Sequence, residues 1–401
     1  MICNLTNKKI TEVMTFGKMP LANGFLYSEN ISNEYFYEMT IGLSPDLALL
    51  QLTNHPKPEM MFHESYPFFT SSSVYMKEHF NFYADWIVKN YIKKNDKIIE
   101  IGCNDGTMLE NFKTKEINSL GIDPSKNVAN IAKNKKLNII NDFFNHNLAS
   151  SLEEFKGNTK VICAANVICH IPDLKDLIKG IDILLEKKGV FIFEEPYLGS
   201  VFQNISYDQI YDEHIYLFSA VSVERIFNLF NFELIDLLPQ ATHGGSMRYV
   251  VGRKNEHNKS IILKKILNDE KNKGFLDIDT YINFKNKCLE SKERLREIIK
   301  KALDSGKRIS GYAATSKSTT ILNYCSIGSN QIDCIYDTTP EKIGKKSPGM
   351  HIPIVNSLEF MNNPPDICLL FGWNHKNEIL KKEEHFVKNG GEWISHIKNF
   401  I

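Results

Sequence analysis

The sequence predicts an α/β protein with a doubly wound parallel sheet, a second sheet of the same kind at the C-terminus and a small β-rich region at the N-terminus. Three observations support this prediction. Buried-strand runs alternate with helical patterns in residues 76–253, the alternation restarts after residue 305, and residues 1–75 show no long helical period. Alternation at this spacing is typical of right-handed βαβ units, whose strands are parallel.

The predicted elements follow one another along the chain. Residues 1–75 contain five prolines, which indicates short strands and loops. A helix is predicted over 76–92, where aromatic residues recur at helical spacing. The strands and helices that follow are predicted at 98–101, 119–122, 127–134, 160–165, 173–185 and 189–193.

The composition changes before the last part of the chain. Residues 254–304 are rich in Lys, Asn and Glu and end in a helical pattern at 288–303, which predicts a helical connector. Strands and a helix follow at 308–312, 319–324, 334–337 and 367–370. We therefore predict four regions, bounded at 1–75, 76–253, 254–304 and 305–401.

Composition excludes several classes of protein. Lys+Arg 48 and Asp+Glu 48 cancel over the 401 residues, so the electrostatic footprint of a nucleic-acid-binding protein is absent. No apolar run approaches the roughly 18 residues of a membrane span, and the first residues do not read as a signal peptide. Eight cysteines without a C-x-x-C pair argue against a disulfide framework. We expect a cytoplasmic protein without nucleic-acid or membrane partners, whose oligomeric state the sequence leaves unknown.

The turn at residues 100–106 ends a predicted strand and opens a helix, a place where nucleotide cofactors bind. A dinucleotide fingerprint requires G-x-G-x-x-G, but Asn104 and Thr107 replace two of its three glycines. The carboxylate of Asp105 would repel a diphosphate, whereas it suits a zwitterion that carries an amino group and a sulfonium. Asp123 ends the next strand, where an acidic side chain accepts from ribose hydroxyls.

These features favour S-adenosylmethionine over NAD as the cofactor. Phe143 is predicted to flank the adenine ring, and Asp142 to accept from its amino group. The full predicted set of cofactor-binding residues is Glu100, Gly102, Asn104, Asp105, Gly106, Asp123, Asp142, Phe143 and Asn166.

Several motifs give the chain a likeness to a known family. The most specific are Tyr-Asp-Glu-His at 211–214 and His-Gly-Gly-Ser-Met-Arg at 243–248, and further stretches lie at 66–72, 166–173 and 349–354. With them the chain resembles the bacterial sugar C-methyltransferases, which include enzymes that methylate carbon 3 of dTDP-4-keto-deoxysugars. The resemblance spans the chain and implies an N-terminal domain of zinc-binding type, a class I S-adenosylmethionine-dependent methyltransferase domain and a C-terminal Rossmann-like domain.

The same resemblance implies a catalytic set. Methylation of carbon requires a carbanion equivalent, which a ketone beside the target C–H supplies as an enolate. A side chain that titrates near neutral pH suits the proton removal, and the resemblance implies that His214 is this base. By the same resemblance His170 and Tyr211 hydrogen-bond the ketone or enolate oxygen. Glu213 either fixes the tautomer of His214 or contacts the substrate from a turn, and the sequence leaves both roles open.

Substrate-binding residues are implied in the N-terminal region and in the second specific motif, namely Tyr66, Phe68, His243, Gly244 and Arg248. In the C-terminal domain, Ser316 and Lys317 stand in a turn of small residues and hydroxyls that opens a helix. Helix N-termini and backbone N–H groups attract anions, so this turn is a plausible phosphate cradle. The resemblance implies that this domain helps to hold the nucleotide diphosphate of the substrate, and the alternative is a domain that only supports the first one. Asp337, at the end of the following strand, parallels Asp123 of the first sheet.

The N-terminal region departs from the family pattern. Relatives place two C-x-x-C pairs there, a tetrahedral zinc signature. Here Cys3 is followed by Thr6 at the partner position, and the second pair would fall at 44–47, where Ser-Pro-Asp-Leu stands. One thiolate cannot hold structural zinc, so we predict no metal. We expect packing to stabilise this region instead, through Phe16, Leu21, Phe25 and Leu43.

The sequence thus favours a methyltransferase that moves a methyl group from S-adenosylmethionine to a carbon of a nucleotide-linked 4-keto sugar. One alternative keeps the cofactor but methylates oxygen or nitrogen of a sugar. An NAD-dependent sugar oxidoreductase is disfavoured by the defective glycine fingerprint. A non-catalytic binding protein is disfavoured by the intact Glu213–His214 pair. The nucleotide, the sugar and the methylated atom remain open.

Overall fold

The computed structural model describes residues 2–64, 66–398 and 400. Met1 and Ile401, the outer bounds of the first and last predicted regions, lie outside the described residues. The strands are β1 Thr11–Pro20, β2 Phe36–Ser44, β3 Leu49–Leu52, β4 Lys97–Ile101, β5 Asn118–Ile122, β6 Ile139–Ile140, β7 Thr159–Ala165, β8 Leu185–Pro196, β9 Tyr216–Leu217, β10 Phe232–Gln240, β11 Ser246–Arg253, β12 Ile309–Tyr312, β13 Ile335–Asp337, β14 Ile354–Asn356, β15 Ile367–Leu370 and β16 Glu392–Ile394.

The helices separate these strands and cover the faces of the sheets. They are α1 Pro58–Met61, α2 Val74–Tyr91, α3 Thr107–Thr114, α4 Lys126–Asn134, α5 His146–Ser151, α6 Leu174–Leu184, α7 Leu198–Asn204, α8 Ala220–Asn228, α9 Ile261–Asn272, α10 Ile278–Asp304, α11 Ser316–Cys325, α12 Lys376–Lys382 and α13 Glu384–Lys388. Short 3-10 turns precede several of them.

The N-terminal sheet is antiparallel, in the order β1-β2-β3-β9. Its last strand comes from a distant part of the chain, since Leu50 of β3 pairs with Leu217 of β9. The pairing places residues 211–214, which immediately precede β9, beside the N-terminal region. Of the residues predicted to stabilise this region, Phe16 and Leu43 are buried and Phe25 packs against the same core, whereas Leu21 is only half-buried.

The central sheet has the order β10-β11-β8-β7-β4-β5-β6. Strands β4 to β8 are parallel, while β11 runs antiparallel to β8 and β10 antiparallel to β11. The strand order reverses between β4 and β7, and crevices at such points bind ligands at the carboxyl ends of the strands. The predicted doubly wound, class I methyltransferase-type sheet is confirmed, with an antiparallel pair at one edge.

The C-terminal sheet has the order β14-β13-β12-β15-β16, and each pair in it is parallel. This confirms the second, Rossmann-like sheet. Two helices connect it to the central sheet, as predicted, but α10 begins at Ile278, well before the predicted bound at 288. Its buried residues recur at helical spacing and pack against both the N-terminal and C-terminal sheets. Across the described residues, no helix is both long and apolar enough to cross a membrane.

Candidate active site

A cavity of about 990 Å³ lies where the carboxyl ends of the two parallel sheets meet loops of the N-terminal region. The cavity is lined by residues 66–73, by the turns that follow β4, β7 and β12, and by Tyr211, Glu213 and His214. The cavity is large enough for two ligands side by side, given the usual range of roughly 300–1,000 Å³ for a single site. All four predicted catalytic residues line it, together with much of the predicted cofactor set.

The turn after β4 forms one wall of the cavity. Gly102 adopts a φ of +69°, and a Cβ at this position would lie 2.2 Å from Val167, so only glycine fits. Asn104 also has a positive φ of 49°. Both residues line the cavity. The turn therefore brings backbone close to the cavity.

Asp123 lies at the end of β5 and lines the same wall. Its two carboxylate oxygens accept the backbone N–H groups of Asn104 at 2.8 Å and Ser125 at 2.9 Å. Burial raises the pKa of this carboxyl to about 6. Each oxygen keeps a further lone pair, which suits acceptance from a pair of ribose hydroxyls.

Two more buried acceptors face this part of the cavity without a hydrogen-bond partner among the described residues. They are Oε2 of Glu100 and Oδ1 of Asn166. Burial, with Asp123 and Asp105 nearby, raises the pKa of Glu100 well above its usual value. Buried polar atoms normally have partners, so unpartnered ones point to a ligand that donates hydrogen bonds. With Phe143 beside them, these acceptors fit the ribose, adenine and cationic groups of S-adenosylmethionine.

Asp105, Gly106 and Asp142 were predicted to bind the cofactor but do not line the cavity. Asp105 is fully buried and accepts from Ser71 N at 2.8 Å and Thr107 Oγ1 at 2.6 Å, so it ties the loop before α2 to the turn. Gly106 precedes α3 with a φ of +79°. Asp142 is exposed and accepts from the N–H of Phe143. Asp105 and Gly106 belong to the turn after β4 and Asp142 follows β6, and none of the three lines the cavity.

His214 and Tyr211 form a hydrogen-bonded pair in the cavity. His214 Nδ1 lies 2.7 Å from the backbone carbonyl of Gln209. A carbonyl can only accept, so Nδ1 carries the hydrogen and Nε2 keeps its lone pair. Nε2 lies 2.7 Å from the hydroxyl of Tyr211, which therefore donates to it. Burial lowers the pKa of His214 well below its usual value, and nearby His170 adds to this, so the imidazole is neutral at neutral pH.

His170 stacks on His214, with ring centroids 5.3 Å apart and planes at 19°. Phe62 stacks on its other face at 5.4 Å. Burial lowers the pKa of His170 to about 3, and its Nε2 has no partner among the described residues. The short turn that carries His170 is held by Glu195, whose Oε1 accepts the N–H groups of residues 167, 168 and 169 at 3.0, 2.6 and 3.2 Å.

Glu213 does not hydrogen-bond the His214 ring, whose Nδ1 donates to the Gln209 carbonyl instead. The prediction that Glu213 fixes the tautomer of His214 is therefore wrong. Its Oε1 accepts from Asn23 Nδ2 at 2.6 Å and its Oε2 from the hydroxyl of Tyr66 at 3.3 Å. Burial raises the pKa of Glu213 to about 7. Glu213 lies in a turn and lines the cavity, which is compatible with the alternative role of touching the substrate.

Several site residues escaped sequence reasoning. Asn23 and Gln209 hold Glu213 and His214, respectively, and Phe62 completes the ring stack. Asn23 is 190 positions from Glu213, so no local pattern links them. The type of residue 209 could not have predicted that its carbonyl lies beside Nδ1 of His214, because every residue has a backbone carbonyl.

The predicted substrate residues divide into two groups. Those that line the cavity are Tyr66, Phe68, His243, Ser316 and Lys317. Gly244 does not, because it packs on Trp373, where a Cβ would lie 2.0 Å from the indole ring. Arg248 does not either: β11 pairs it with Glu194 of β8, and the two side chains form a buried ion pair. Tyr83 stacks on its guanidinium at 3.8 Å, so we remove Arg248 from the substrate-binding set.

The turn after β12 forms the opposite wall. Asp337 accepts from Ala314 N and Thr339 N, each at 2.7 Å, and so repeats the pattern of Asp123. Lys317 is buried, donates to the side chain of Asn374 at 3.2 Å and has its pKa lowered by burial. Lys342 also lines this wall. Buried ammonium groups make it suitable for an anion.

In the part of the chain that the structure describes, one group of three side chains brings possible metal ligands together: atoms of Cys169, His170 and His214 lie within 4.8 Å of one another. Of these three residues, His170 and His214 line the cavity. The two imidazole planes are nearly parallel, so their in-plane lone pairs do not converge on one point. In the N-terminal region, the hydroxyls of Thr6 and Ser44 lie beside the Cys3 thiol. The sequence prediction of no metal remains to be tested.

Comparisons with known families divide the chain into three matched segments. Residues 2–62 match the family described as “Putative zinc binding domain”, residues 75–237 match “Methyltransferase domain” and residues 241–397 match “C-methyltransferase C-terminal domain”. The match of residues 75–237 to a methyltransferase domain confirms S-adenosyl-L-methionine as the cofactor.

The chain is also similar to individual proteins. C-methyltransferase NovU of Streptomyces niveus is 28% identical over 386 residues, which is 96% of this chain and 92% of its own length. Carboxy-S-adenosyl-L-methionine synthase of Nautilia profundicola is 36% identical over 146 residues, or 34% of this chain and 56% of its own. Among solved structures, magnesium protoporphyrin IX methyltransferase from Synechocystis PCC 6803 with bound SAH gives a TM-score of 0.35 at 14% identity, covering 44% of this chain and 83% of that one.

Proposed function

The chain belongs to the three-domain C-methyltransferase family, and on that premise we propose that it methylates a carbon atom of a nucleotide-linked 4-keto sugar. The observation that supports this most is the neutral His214–Tyr211 pair, which lies in the same cavity as the cofactor wall. A sugar hydroxyl also needs a base to remove its proton, so the base alone does not separate carbon from oxygen acceptors. A carbon acceptor needs a positioned base and a group that stabilises an enolate.

The side chains suit these two tasks. The lone pair on Nε2 of His214 accepts from the Tyr211 hydroxyl, and it becomes free when that hydroxyl turns to the ketone oxygen of the substrate. Nε2 then removes the proton from the carbon beside the ketone, which leaves the electron pair in an enolate. The unpartnered Nε2 of His170 lies next to this pair and is suited to hydrogen-bond the ketone oxygen as negative charge develops there. When bound, S-adenosylmethionine supplies the electrophilic methyl group. Because His214 is buried and neutral with its hydrogen on Nδ1, its Nε2 carries no proton. His170 is also neutral, and it donates to the ketone oxygen in the tautomer that carries its hydrogen on Nε2.

Glu213 is the second candidate for the base. Its carboxyl has a pKa near 7, which places it closer to neutral pH than the depressed pKa of His214. The two candidates predict different pH dependence. If Glu213 is the base, kcat/KM falls as the pH drops through about 7, because the carboxylate becomes protonated. If His214 is the base, kcat/KM stays high at pH 6, since its pKa lies well below the ordinary value.

The C-terminal wall is proposed to hold the nucleotide diphosphate. Lys317 provides a buried positive charge, and Thr315 and Ser316 at the start of α11 line the same cavity. The sugar would then extend toward the His214–Tyr211 pair. Tyr66, hydrogen-bonded to Glu213, lies between the two walls of the cavity.

The test uses a panel of nucleotide-linked 4-keto sugars. Wild-type protein in D₂O without methyl donor should exchange deuterium into the carbon beside the ketone, and with the donor it should add a methyl group to that carbon, as seen by mass spectrometry and NMR. His214→Ala should lower both rates by about 10²–10⁴-fold and leave cofactor affinity unchanged. Methyl transfer to oxygen or nitrogen, or turnover of substrates that lack a ketone, would reject the carbon-methylation proposal. Near-full activity of His214→Ala would transfer the role of base to another residue.

A further inference from the structure

The hydrogen bond that sets the tautomer of His214 depends on the position of one backbone carbonyl. Gln209 contributes this carbonyl from a 3-10 turn, Tyr207–Gln209, which ends just before the catalytic motif. The backbone carbonyl of the next residue, Ile210, accepts a hydrogen bond from the hydroxyl of Thr320 in α11 at 3.0 Å. The turn therefore lies against the C-terminal sheet, although it belongs to the central segment of the sequence.

Asp208 is the centre of this turn, and its side chain is completely buried. Its Oδ2 accepts from the indole N–H of Trp373 at 2.7 Å. Its Oδ1 lies at ion-pair distance, 3.0 Å, from Nε2 of His396. Trp373 follows β15 and His396 follows β16, so both partners come from the C-terminal sheet.

The charge of Asp208 is maintained in this environment. Burial by itself raises the pKa of a carboxyl, but His396, Lys317 and the Trp373 N–H outweigh it and lower the pKa of Asp208 below its usual value. A buried carboxylate with such partners costs free energy if any partner is removed. The arrangement therefore resists displacement of the turn.

We propose that Asp208, Trp373 and His396 are positioning residues for the reaction: the C-terminal sheet holds the Asp208 turn, and the turn presents the Gln209 carbonyl that keeps His214 in its Nδ1–H form. This inference rests on the proposed function in one respect, the role of His214 as base. None of the three positioning residues lines the cavity. The C-terminal domain thus sets the tautomer of His214 and also carries the proposed diphosphate site.

The proposal predicts a specific defect. Trp373→Phe removes the N–H donor to Asp208 and keeps an aromatic ring. Without that bond the turn shifts, the Gln209 carbonyl no longer fixes Nδ1–H, and His214 samples both tautomers. In the Nε2–H form the imidazole has no lone pair toward the substrate. We expect kcat to fall roughly 10- to 100-fold, the scale of small misplacements in an active site, with KM and cofactor affinity unchanged.

The chain offers a matched control. Trp393→Phe makes the same substitution in another buried tryptophan of the C-terminal sheet, whose Nε1 has no partner among the described residues. A second variant, Asp208→Asn, keeps the size of the side chain while removing its charge, and guards against loss of packing around Trp373. Thermal denaturation verifies that each variant is folded before it is compared.

The decisive measurement is ¹⁵N NMR of histidine-labelled protein, with His214→Ala to assign the resonance. Wild type and Trp393→Phe should show His214 protonated at Nδ1, while Trp373→Phe and Asp208→Asn should show a mixture. An unchanged tautomer in both of the latter variants, or equal losses of kcat in Trp373→Phe and Trp393→Phe, would overturn the proposal. If the tautomer changes as expected but wild type exchanges no deuterium into any 4-keto sugar, the positioning role stands and only the proposed function fails.

Discussion

Asp123 and Asp337 occupy equivalent places in the two parallel sheets. Asp123 lies at the end of β5, beside β4, and Asp337 lies at the end of β13, beside β12. Each carboxylate accepts one N–H from the turn after the neighbouring strand and one from the residue two positions further along the chain. The distances agree closely, at 2.8 and 2.9 Å for Asp123 and 2.7 Å for both bonds of Asp337. The two turns are thus held in the same way.

The walls around these aspartates differ in charge. Beside Asp123 stands Glu100, whose buried Oε2 has no partner among the described residues and whose raised pKa favours the neutral carboxyl until a cation binds beside it. Near Asp337 stand the buried ammonium of Lys317 and the half-buried Lys342, which donates to the carbonyl of Ala314 at 2.8 Å. The comparison teaches that the strand-end aspartate organises the turn, while the charges beside it select the ligand. A cationic cofactor suits the first wall and a diphosphate suits the second.

The largest expected effect is on the first wall. Asp123→Ala should weaken binding of S-adenosylmethionine by about 1.5–3 kcal/mol, roughly 10- to 150-fold, because a charged acceptor of hydrogen bonds is lost. Isothermal titration calorimetry measures this. The matched variant Asp337→Ala should leave cofactor affinity unchanged. Equal losses in both variants would show that the two walls are not separate, and an unchanged affinity in Asp123→Ala would remove this residue from the ribose role.

A smaller effect is expected on the second wall. Lys317→Met should weaken binding of thymidine diphosphate by about 1.5 kcal/mol, roughly tenfold, since one charged hydrogen bond is removed. Affinity for S-adenosylmethionine should not change. Titrations at low and high salt add a check, because the wild-type affinity for the diphosphate should depend on salt more steeply than that of the variant. A variant with wild-type diphosphate affinity would contradict the assignment of this wall.

The pH dependence of cofactor binding sharpens the contrast further. Burial raises the pKa of Asp123 to about 6, so the carboxyl takes up a proton as the pH falls through that value. The ionised form is the better acceptor, and binding therefore weakens at low pH. We expect about a fourfold loss of affinity between pH 7 and pH 5.5, which Asp123→Asn should abolish. The same dependence in Asp123→Asn would assign the titration to another group.

The smallest effect concerns the N-terminal region, which contributes to both walls through loops and through the pairing of β3 with β9. Purified protein should contain no stoichiometric zinc, and a chelator should leave the melting temperature unchanged, because Thr6 and Ser44 stand near Cys3 where further thiolates would be needed. Elemental analysis with one zinc per chain would contradict this. It would also show that a metal stabilises the N-terminal region in addition to packing.

Much of the fold follows from local patterns in the sequence. Strand β15 was predicted with its observed bounds, 367–370, because a short run of buried apolar residues between polar segments has few alternatives. The antiparallel pair β10 and β11 was not predicted, although β11 is buried along almost its whole length between β10 and β8. The pairing of β3 with β9 was not predictable either, because it joins segments far apart in the sequence.

The sequence by itself determined the class of protein. The turn at 100–106 and Asp123 indicated S-adenosylmethionine as the cofactor, because the turn lacks two glycines of the dinucleotide fingerprint and an acidic residue ends the next strand. The motif at 211–214 added the resemblance to the sugar C-methyltransferases. Only the tertiary structure decided which motif residues face the cavity. Arg248 and Asp105 turned to structural partners, Glu194 and Ser71, since strand register and turn geometry set the direction of a side chain. The tertiary structure also brought the Gln209 carbonyl to His214, a contact that no residue type encodes because every backbone carries that acceptor.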